Sequence, residues 1–242
     1  DGGVHICLNE KEFADRKAQL EILYSHQNGK FKYEMLDRKA LLDIQPGLGP
    51  DVVGGSWCPH DGHVNPLYLL RSLHNCFLTR NGQLLHDAEV FDITHEEGVF
   101  DVFSRKGQFQ APCLVLAAGL GNRKLAPLIG LKQPVRPQKG QILVTQKIDK
   151  LIDSPMTLLR QTAEGSVMIG DSKEEVGFDV SSSIDIMAQI ADRARRTLPV
   201  LEKQQIIRSW AALRVMSPDG FPMYDQSESC PGGFAITCHS GV

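Results

Sequence analysis

The sequence predicts a mixed α/β fold that combines α/β and α+β features. In the first half of the 242 residues, strand-like runs alternate with amphipathic helical segments, as in α/β proteins. In the second half, short alternating segments separated by glycine-containing turns predict a mixed, largely antiparallel sheet. The pattern of predicted elements changes near residues 131–137, which indicates two subdomains. A chain of this length can bury a sizeable core.

Capping residues and turn signals set the boundaries of the elements in the first half. Asp37 is a candidate N-cap, and Asn65-Pro66 supplies a cap followed by a proline at the first helical position. The continuous apolar run over residues 113–118 is expected of a strand covered on both faces. The predicted strands are 4–8, 52–57, 84–91, 99–103 and 113–118, and the predicted helices are 10–26, 38–44 and 67–80.

The second half contains several strands and one long helix. Glu164-Gly165 marks the turn of a hairpin, and Pro199 closes the helix. A turn is also expected at Asp219-Gly220, with a positive φ at the glycine or a close approach of its backbone to a ligand. The predicted strands are 141–146, 158–162, 167–170 and 206–215, with a further apolar strand from Gly233, and the predicted helix is 184–198.

Composition excludes several classes of protein. The formal net charge of −3 shows no excess of basic residues, so we expect no nucleic-acid partner. No apolar run approaches the ~20 residues that span a bilayer and no signal-peptide pattern opens the chain. We therefore expect a cytoplasmic protein with, at most, peripheral membrane association.

The spacing of cysteine, histidine and serine argues against three kinds of site. Six cysteines show no C-x-x-C spacing and lie among apolar segments, which is typical of reduced, mostly buried thiols. Eight histidines show no HExxH or His-x-His spacing, so we expect no metal. Without a G-x-S-x-G elbow, an acyl-transfer triad has no support.

Both ends of the sequence resemble interior segments of a longer chain. Asp1 is not a methionine and is followed at once by a strand-like segment, and the last four residues, His239-Ser-Gly-Val242, stop where a helix N-terminus is expected. These observations predict a fragment or an incomplete part of a longer protein.

Residues 114–126 read as a strand, a glycine turn and the start of a helix. Small residues at such a turn let a phosphate or ribose approach the backbone. Gly119-x-Gly121 lacks the third glycine of a dinucleotide fingerprint and has no acidic residue suitably placed downstream. On these residues alone, a plain tight turn is an equally good interpretation.

Arg214 lies in an apolar strand that leads into the Asp219-Gly220 turn. Its guanidinium cannot shed its charge and can bind a carboxylate through two parallel hydrogen bonds. The side chain is therefore either solvated at the end of the strand or aimed at an anion in a cleft. Arg160 and Tyr224 could also reach a carboxylate or an amine, or be structural.

A set of motifs in this order resembles the glycine/D-amino-acid oxidase (DAO) family of FAD-dependent oxidoreductases. The matching segments are Asp61-Gly-His-Val-Asn-Pro-Leu67, Gly82-Gln-Leu-Leu-His-Asp-Ala-Glu-Val90, Ala117-Ala-Gly119, Pro134-Val-Arg-Pro-Gln-Lys-Gly-Gln-Ile142, Ser166-Val-Met-Ile-Gly-Asp171 with Gly177-Phe-Asp179, Leu213-Arg-Val-Met-Ser-Pro-Asp-Gly-Phe-Pro222 and His239-Ser-Gly-Val242. Four features depart from the family: the N-terminal GxGxxG segment is absent, Val215 replaces the usual proline, Cys238 replaces a glycine, and Asp225 replaces the glycine of the family's Pro-x-x-Gly.

The resemblance implies a FAD-binding domain of the glutathione-reductase-like type, incomplete here, and a substrate domain with a mixed, largely antiparallel sheet. The implied arrangement is discontinuous along the chain. Substrate-domain elements occupy residues 1–50 and 131–215, and parts of the FAD-binding domain occupy 51–130 and 216–242, the last being truncated.

The resemblance also implies a set of site residues. Arg214 would hold the substrate carboxylate, with His239 and Tyr224 as further candidates at the catalytic centre. The implied FAD-binding residues are Val90, Ala117, Ala118, Gly119, Gly140, Gln141, Gly220, Ser240, Gly241 and Val242.

The implied reaction is oxidation of an amino acid or related amine at the carbon that bears the amine, by hydride transfer to FAD. The segment Cys58–Leu67 most resembles the branch that contains opine oxidase, cyanide-forming glycine dehydrogenase and hydroxyproline dehydrogenase subunits. A small amino acid is then the substrate, and a partner subunit or a homo-oligomer is possible. The alternative is a non-catalytic fragment, or an assembly or binding module of such an enzyme, that holds no flavin.

Overall fold

The computed structural model describes residues 2–170 and 172–237. Strands and helices alternate early in the chain, and antiparallel pairs follow. The elements are β1 (Gly3–Cys7), α1 (Glu10–His26), β2 (Glu34–Asp37), α2 (Arg38–Ile44), β3 (Gly54–Cys58), α3 (Pro66–Thr79), β4 (Val90–Glu96), β5 (Val99–Ser104), β6 (Gly107–Ala111), β7 (Leu114–Leu116), α4 (Asn122–Leu125), β8 (Arg136–Lys147), β9 (Leu159–Gln161), β10 (Ser166–Gly170), α5 (Ile184–Thr197), β11 (Ile206–Met216), β12 (Met223–Gln226) and β13 (Gly233–Thr237). The mixed α/β class predicted from the sequence is confirmed.

The chain divides into two compact units. The first comprises Asp1–Leu70, Gly140–Ser172 and Val180–Ala211, and the second comprises Arg71–Lys139, Lys173–Asp179 and Ala212–Val242. The sheet orders are β1-β3-β2, β11-β8-β10-β9, β12-β13-β7 and β4-β5-β6. The pairing of β7 with β13 is parallel, whereas the pairs within β1-β3-β2, β4-β5-β6 and β8-β10-β9 are antiparallel.

The core of the first unit is built from alternating strand positions and one face of α5. Along α5, Ile190, Ala194 and Thr197 are buried, which is the spacing of one helical face. Ile190 and Ala194 belong to the same apolar cluster as Val4 of β1 and Leu143 of β8. The apolar face of α5 thus stabilises the fold by removing hydrocarbon from water.

A close approach of two backbones explains the glycine at the centre of β3. A Cβ built on Gly55 would lie 2.0 Å from the carbonyl oxygen of His5 on β1. No side chain can replace the hydrogen at that distance without moving a strand. The β1–β3 pairing therefore requires glycine at this position.

Helix α1 begins with a local cap and an ion pair to α5. The side chain of Asn9 accepts a hydrogen bond from the Glu12 amide at 2.9 Å, and the Glu12 carboxylate accepts one from the Leu8 amide at 2.9 Å. The Arg193 guanidinium donates to both Glu12 oxygens, at 2.9 and 2.7 Å. These hydrogen bonds, that of Arg193 foremost, lower the pKa of Glu12 to about 2.

Several predicted boundaries are confirmed. Asn65 caps α3 by accepting from the amides of Leu67 and Tyr68, at 3.0 and 3.3 Å. Asp37 caps α2. The predicted hairpin turn at Gly165 joins β9 to β10, and a turn that ends at Gly98 joins β4 to β5.

Two predicted strands differ from the structure. Residues 84–89 are not a strand, because Asp87 adopts φ +56°, which interrupts an extended backbone, and the strand begins at Val90. The run over 113–118 is a strand only at Leu114–Leu116, and Val115 is 50% exposed. The prediction that both its faces are covered is wrong for the described residues, since the Val115 side chain is half-exposed.

Strands β2, β6 and β12 were not predicted. Each is short, at four or five residues, and lies at an edge of its described sheet. Among the described residues, no helix is long and apolar enough to cross a membrane.

The Glu12–Arg193 pair leads to a test of stability against pH. A lowered folded-state pKa contributes stability that is present above the unfolded value, about 4.3, and is lost as pH falls through the folded value. We expect Glu12→Gln to lower the free energy of unfolding at pH 7 by about 1–2 kcal/mol, allowing for partial solvent screening. The difference from wild type, measured by urea denaturation, should shrink between pH 5 and about 2.

Asp15→Asn provides the matched control. Asp15 makes an ion pair with Lys11 in the same helix, and both side chains are exposed. This variant should change stability by less than about 0.5 kcal/mol. A Glu12→Gln effect that stays constant from pH 7 to pH 3 would contradict the assignment.

Candidate cofactor site

The carboxyl end of β7 leads into a tight turn. Strand β7 ends at Leu116, and a single 3₁₀ turn, Gly119–Gly121, runs directly into the four-residue helix α4. Gly119 has φ +55°, a conformation that favours glycine. Ala117 and Ala118 are exposed. The predicted strand, glycine turn and helix start are all present, and the helix is very short.

A buried amide, Asn122, fixes this turn. Its Oδ1 accepts a hydrogen bond from the Ala118 amide at 3.0 Å. Its Nδ2 donates to the carbonyls of Leu116 and Ile236, both at 3.1 Å, and to the Thr237 hydroxyl at 2.7 Å. Asn122 is fully buried, and losing these partners would leave polar groups unsatisfied. The turn is thereby held at the carboxyl ends of the parallel strands β7 and β13.

A cavity lies beside this turn in the second unit. Its volume is about 600 Å³, within the range of about 300–1,000 Å³ found for small-molecule sites. It is lined by Ala88, Glu89, Val90, Ala118, Leu120, Gly121, Lys124, Leu125 and Phe178. Two of the predicted FAD-binding residues, Val90 and Ala118, thus line one cavity. Small side chains on one wall leave room for a ring, and Lys124 supplies a cation.

Arg214 lies near the carboxyl end of β11 and is half-buried. Its neighbour Val215 packs against the Gly119 turn, since a Cβ built on Gly119 would lie 3.4 Å from Val215 Cγ2. The chain then turns at Gly220, whose φ of +82° confirms the predicted positive value. The Asp219 carboxylate accepts a hydrogen bond from the Phe221 amide at 3.0 Å in this turn. The end of the arginine strand and the Ala-Ala-Gly turn are therefore adjacent.

The other predicted site residues are not among those that line this cavity, or are not described. Tyr224 is on β12 and is 74% exposed. Gly140 and Gln141 are buried in β8, where the Gln141 side chain accepts from the Ser183 amide, 3.0 Å away, at the N-cap of α5. His239, Ser240, Gly241 and Val242 lie outside the described residues. Within the described ranges, no group of three or more His, Cys, Asp or Glu side chains is placed to hold a metal ion.

Asn122, Lys124 and Phe178 were not predicted as site residues. Asn122 and Lys124 immediately follow the Gly-x-Gly turn, so a search of the residues after that turn could have found them. Phe178 is remote in sequence, and only the fold brings it to the cavity. Arg160, a second candidate for a carboxylate, instead donates to the Val64 carbonyl at 3.2 Å.

Comparison with protein families identifies the chain. The model of the DAO family, described as FAD dependent oxidoreductase, matches residues 1–242. The chain belongs to this family. FAD is therefore the cofactor of its family, and the flavoprotein resemblance inferred from the motifs is confirmed.

Two curated relatives are opine oxidase subunits. The chain is 40% identical over 243 residues to the one from Agrobacterium tumefaciens (strain Ach5), and 39% identical over 249 residues to the one from Rhizobium meliloti. All of the chain is matched in both comparisons. It spans 66% of the length of the first relative and 65% of the second.

Solved structures show the same fold. The chain superimposes on glycine oxidase from Geobacillus kaustophilus with a TM-score of 0.88 at 21% identity, covering 99% of this chain and 65% of that one. At this level of identity, the likeness establishes the fold alone. In this fold, β7 and β13 pair in parallel, and the small-residue turn and the cavity both lie beside this pair.

The described residues fit part of a flavin dinucleotide. The cavity combines small side chains, an aromatic wall and one lysine, which suits a ring system linked to phosphate. The positive φ of Gly119 and the exposed Ala117 and Ala118 allow a ligand to approach the backbone closely. Val90, Ala118 and Lys124 are the residues of this cavity that would contact it.

The Asn122 network gives a prediction for stability. Asn122→Ala should lower the free energy of unfolding by about 1–3 kcal/mol, because the Ala118 amide and the Thr237 hydroxyl lose a buried partner. Chemical denaturation measures this loss. The control is Gln110→Ala, which removes an exposed side chain bonded to Asp101 and should cost less than about 0.5 kcal/mol. Equal effects of the two variants would show that the buried amide does not fix the turn.

Proposed function

We propose that the complete protein oxidises an amino acid or related amine at the carbon that bears the amine. Family membership supports the redox chemistry, and one structural observation supports the assignment of the site. Val215 packs on the Gly119 turn, so the stretch of β11 backbone that also carries Arg214 lies next to a segment that suits a flavin. A substrate carboxylate held by Arg214 would then be bound close to the cofactor.

The residues of the chain supply binding and orientation. Arg214 would hold the substrate carboxylate through two charge-assisted hydrogen bonds. FAD, when bound, supplies the acceptor for a hydride. The substrate loses that hydride from carbon and a proton from nitrogen, so a C=N bond forms, and water then hydrolyses the imine to a carbonyl compound and an amine or ammonia. A neutral amine needs no strong general base.

Further roles extend this proposal. Ala117, Gly119, Gly140, Gln141 and Gly220 would approach the cofactor through their backbones. Tyr224 and His239 would complete the substrate site, and Ser240, Gly241 and Val242 would lie against the flavin. These assignments follow from the motif matches.

The proposed branch is that of the opine oxidase subunits. The two curated relatives are themselves named as subunits, which supports a partner subunit for the complete protein, and a homo-oligomer is the other arrangement. A small amino acid or an N-substituted amino acid fits the proposed carboxylate clamp. A cytoplasmic location is part of the same proposal.

Replacement of Arg214 tests the proposed clamp. In the full-length protein, Arg214→Ala should lower kcat/KM for amino acids at least about a hundredfold, since bonds to charged groups contribute roughly 1.5–3 kcal/mol each. Arg214→Lys keeps the charge and loses the planar fork, so it should also impair turnover. Flavin content, read from the absorbance spectrum, should remain near normal. Amines without a carboxylate should lose much less.

Arg208→Ala is the matched control. Arg208 is exposed on the same strand, with its guanidinium 5.3 Å from the centre of the Trp210 ring. Its removal should leave kcat/KM within about twofold, because an exposed cation of this kind contributes little. If Arg214→Ala leaves amino-acid turnover intact, or abolishes it only by expelling FAD, Arg214 is not the clamp. Colourless full-length protein that gains no flavin from added FAD would instead favour the non-catalytic binding module.

A further inference from the structure

The segment Lys173–Asp179, called the clasp segment below, is bound to β8 by its backbone. The Lys139 amide donates to the Glu174 carbonyl at 2.9 Å, and the Glu174 amide donates to the Lys139 carbonyl at 3.0 Å. The two residues form an isolated antiparallel bridge. This bridge holds the start of the clasp segment beside the strand.

Charged and polar side chains of β8 bind the rest of the clasp segment. The Lys139 side chain is only 3% exposed, and its ammonium lies 3.2 Å from a Glu174 oxygen and 3.0 Å from an Asp179 oxygen. The hydrogen bond to Asp179 is the main cause that raises the pKa of Lys139. Arg136 and Gln138, also on β8, both donate to the Glu175 carboxylate. The segment is thus tied to β8 near both of its ends.

Phe178 directly precedes Asp179, which is the attachment nearest the end of the clasp segment. It lines the cavity that Val90 and Ala118 also line, yet its side chain is 63% exposed. Gly177, directly before it, has φ +65°, and a Cβ there would meet nothing within 4 Å. Glycine is therefore favoured here by the positive φ of the turn, and not by the close approach of another group to its Cα. That turn sets the direction in which the chain presents Phe178.

An exposed aromatic side chain beside small wall residues suits a flat ligand. Ala88, Ala118 and Gly121 leave space in the cavity, and a phenyl ring favours offset or edge-to-face contact with another ring. Lys124 adds a positive charge to the same cavity, and the lining carboxylate of Glu89 is paired with Arg105. A planar ring joined to phosphate has this chemistry, and both ends of a flavin dinucleotide fit the description.

We infer that Lys139 is a positioning residue that, through Asp179, holds Phe178 as the aromatic wall of this cavity, and that Phe178 contacts a ring of the dinucleotide. The inference rests on the flavin cofactor of the proposed function. Neither residue binds substrate in that proposal. Ligand affinity can therefore be measured without turnover.

Binding measurements on full-length protein stripped of flavin test the contact. Phe178→Ala should weaken FAD binding roughly tenfold, which is about 1.4 kcal/mol, and Phe178→Tyr should restore most of it. Titrations with ADP and FMN identify the ring. Weaker ADP binding with unchanged FMN binding assigns the adenine, and the reverse assigns the isoalloxazine. Unchanged affinity for FAD, ADP and FMN overturns the inference.

A double-mutant cycle tests the role of the clasp. Asp179→Asn removes one of the two charge partners of Lys139 with little change in shape, and should weaken FAD binding about threefold or more in the Phe178 background. In the Phe178→Ala background it should have no further effect, because it acts through that ring. Independent, additive losses would show a general structural role and overturn the positioning assignment.

Two further variants separate the clasp from simple loss of folding. Lys139→Met should reproduce the effect of Asp179→Asn on FAD affinity. Val176→Ala, which alters an exposed apolar residue of the same segment that does not line the cavity, should leave affinity unchanged. Loss of FAD affinity in Val176→Ala as large as in Phe178→Ala would overturn the inference. A protein that binds FAD as expected but oxidises no amine would refute the proposed function alone.

Discussion

The buried amide of Asn122 is the constraint on which the candidate site depends. Strands β7 and β13 run parallel, and ligands of such sheets bind beyond the carboxyl ends of their strands. The backbone there must leave the sheet at once and still satisfy its polar groups. Asn122 does this for the turn by bonding to the Ala118 amide, to the carbonyls of Leu116 and Ile236, and to Thr237. The Thr237 hydroxyl in turn donates to Gln133 at 2.7 Å, which extends the buried network. The position of the turn is therefore set by hydrogen bonds from both strands.

Much of the local structure could be predicted because its causes are local. The cap at Asn65, the turn at Gly165 and the positive φ at Gly220 each follow from one or two residues whose side chains or flexibility favour one conformation. The strand expected over 84–91 failed because alternation there is interrupted at Asp87, whose left-handed conformation is uncommon for a non-glycine residue. Short edge strands such as β2 are held mainly by a neighbour, so their own residues carry a weak signal.

The candidate site could be predicted only in part, because some of its residues are brought together by long-range contacts. Val90 and Ala118 were found through motifs, and the cavity brings them together. Phe178 lines that cavity from the clasp segment, and the ion pairs that tie this segment to β8 join residues about forty positions apart, such as Lys139 and Asp179. A pattern in the sequence does not reveal a pairing at that separation. A long-range contact of this kind is visible only once the fold is known.

The contact between Gly119 and Val215 couples the two halves of the proposed chemistry. A side chain at position 119 would be disfavoured by the φ of +55°, and its Cβ would be in van der Waals contact with Val215 at 3.4 Å. Val215 precedes the Gly220 turn and follows Arg214 directly, so displacing it would also move the arginine. The turn that suits a flavin and the strand that carries the proposed carboxylate clamp are therefore packed against each other. A change in either is expected to alter cofactor affinity and substrate affinity together, except where, as with Arg214→Ala, only side-chain atoms beyond the Cβ are removed.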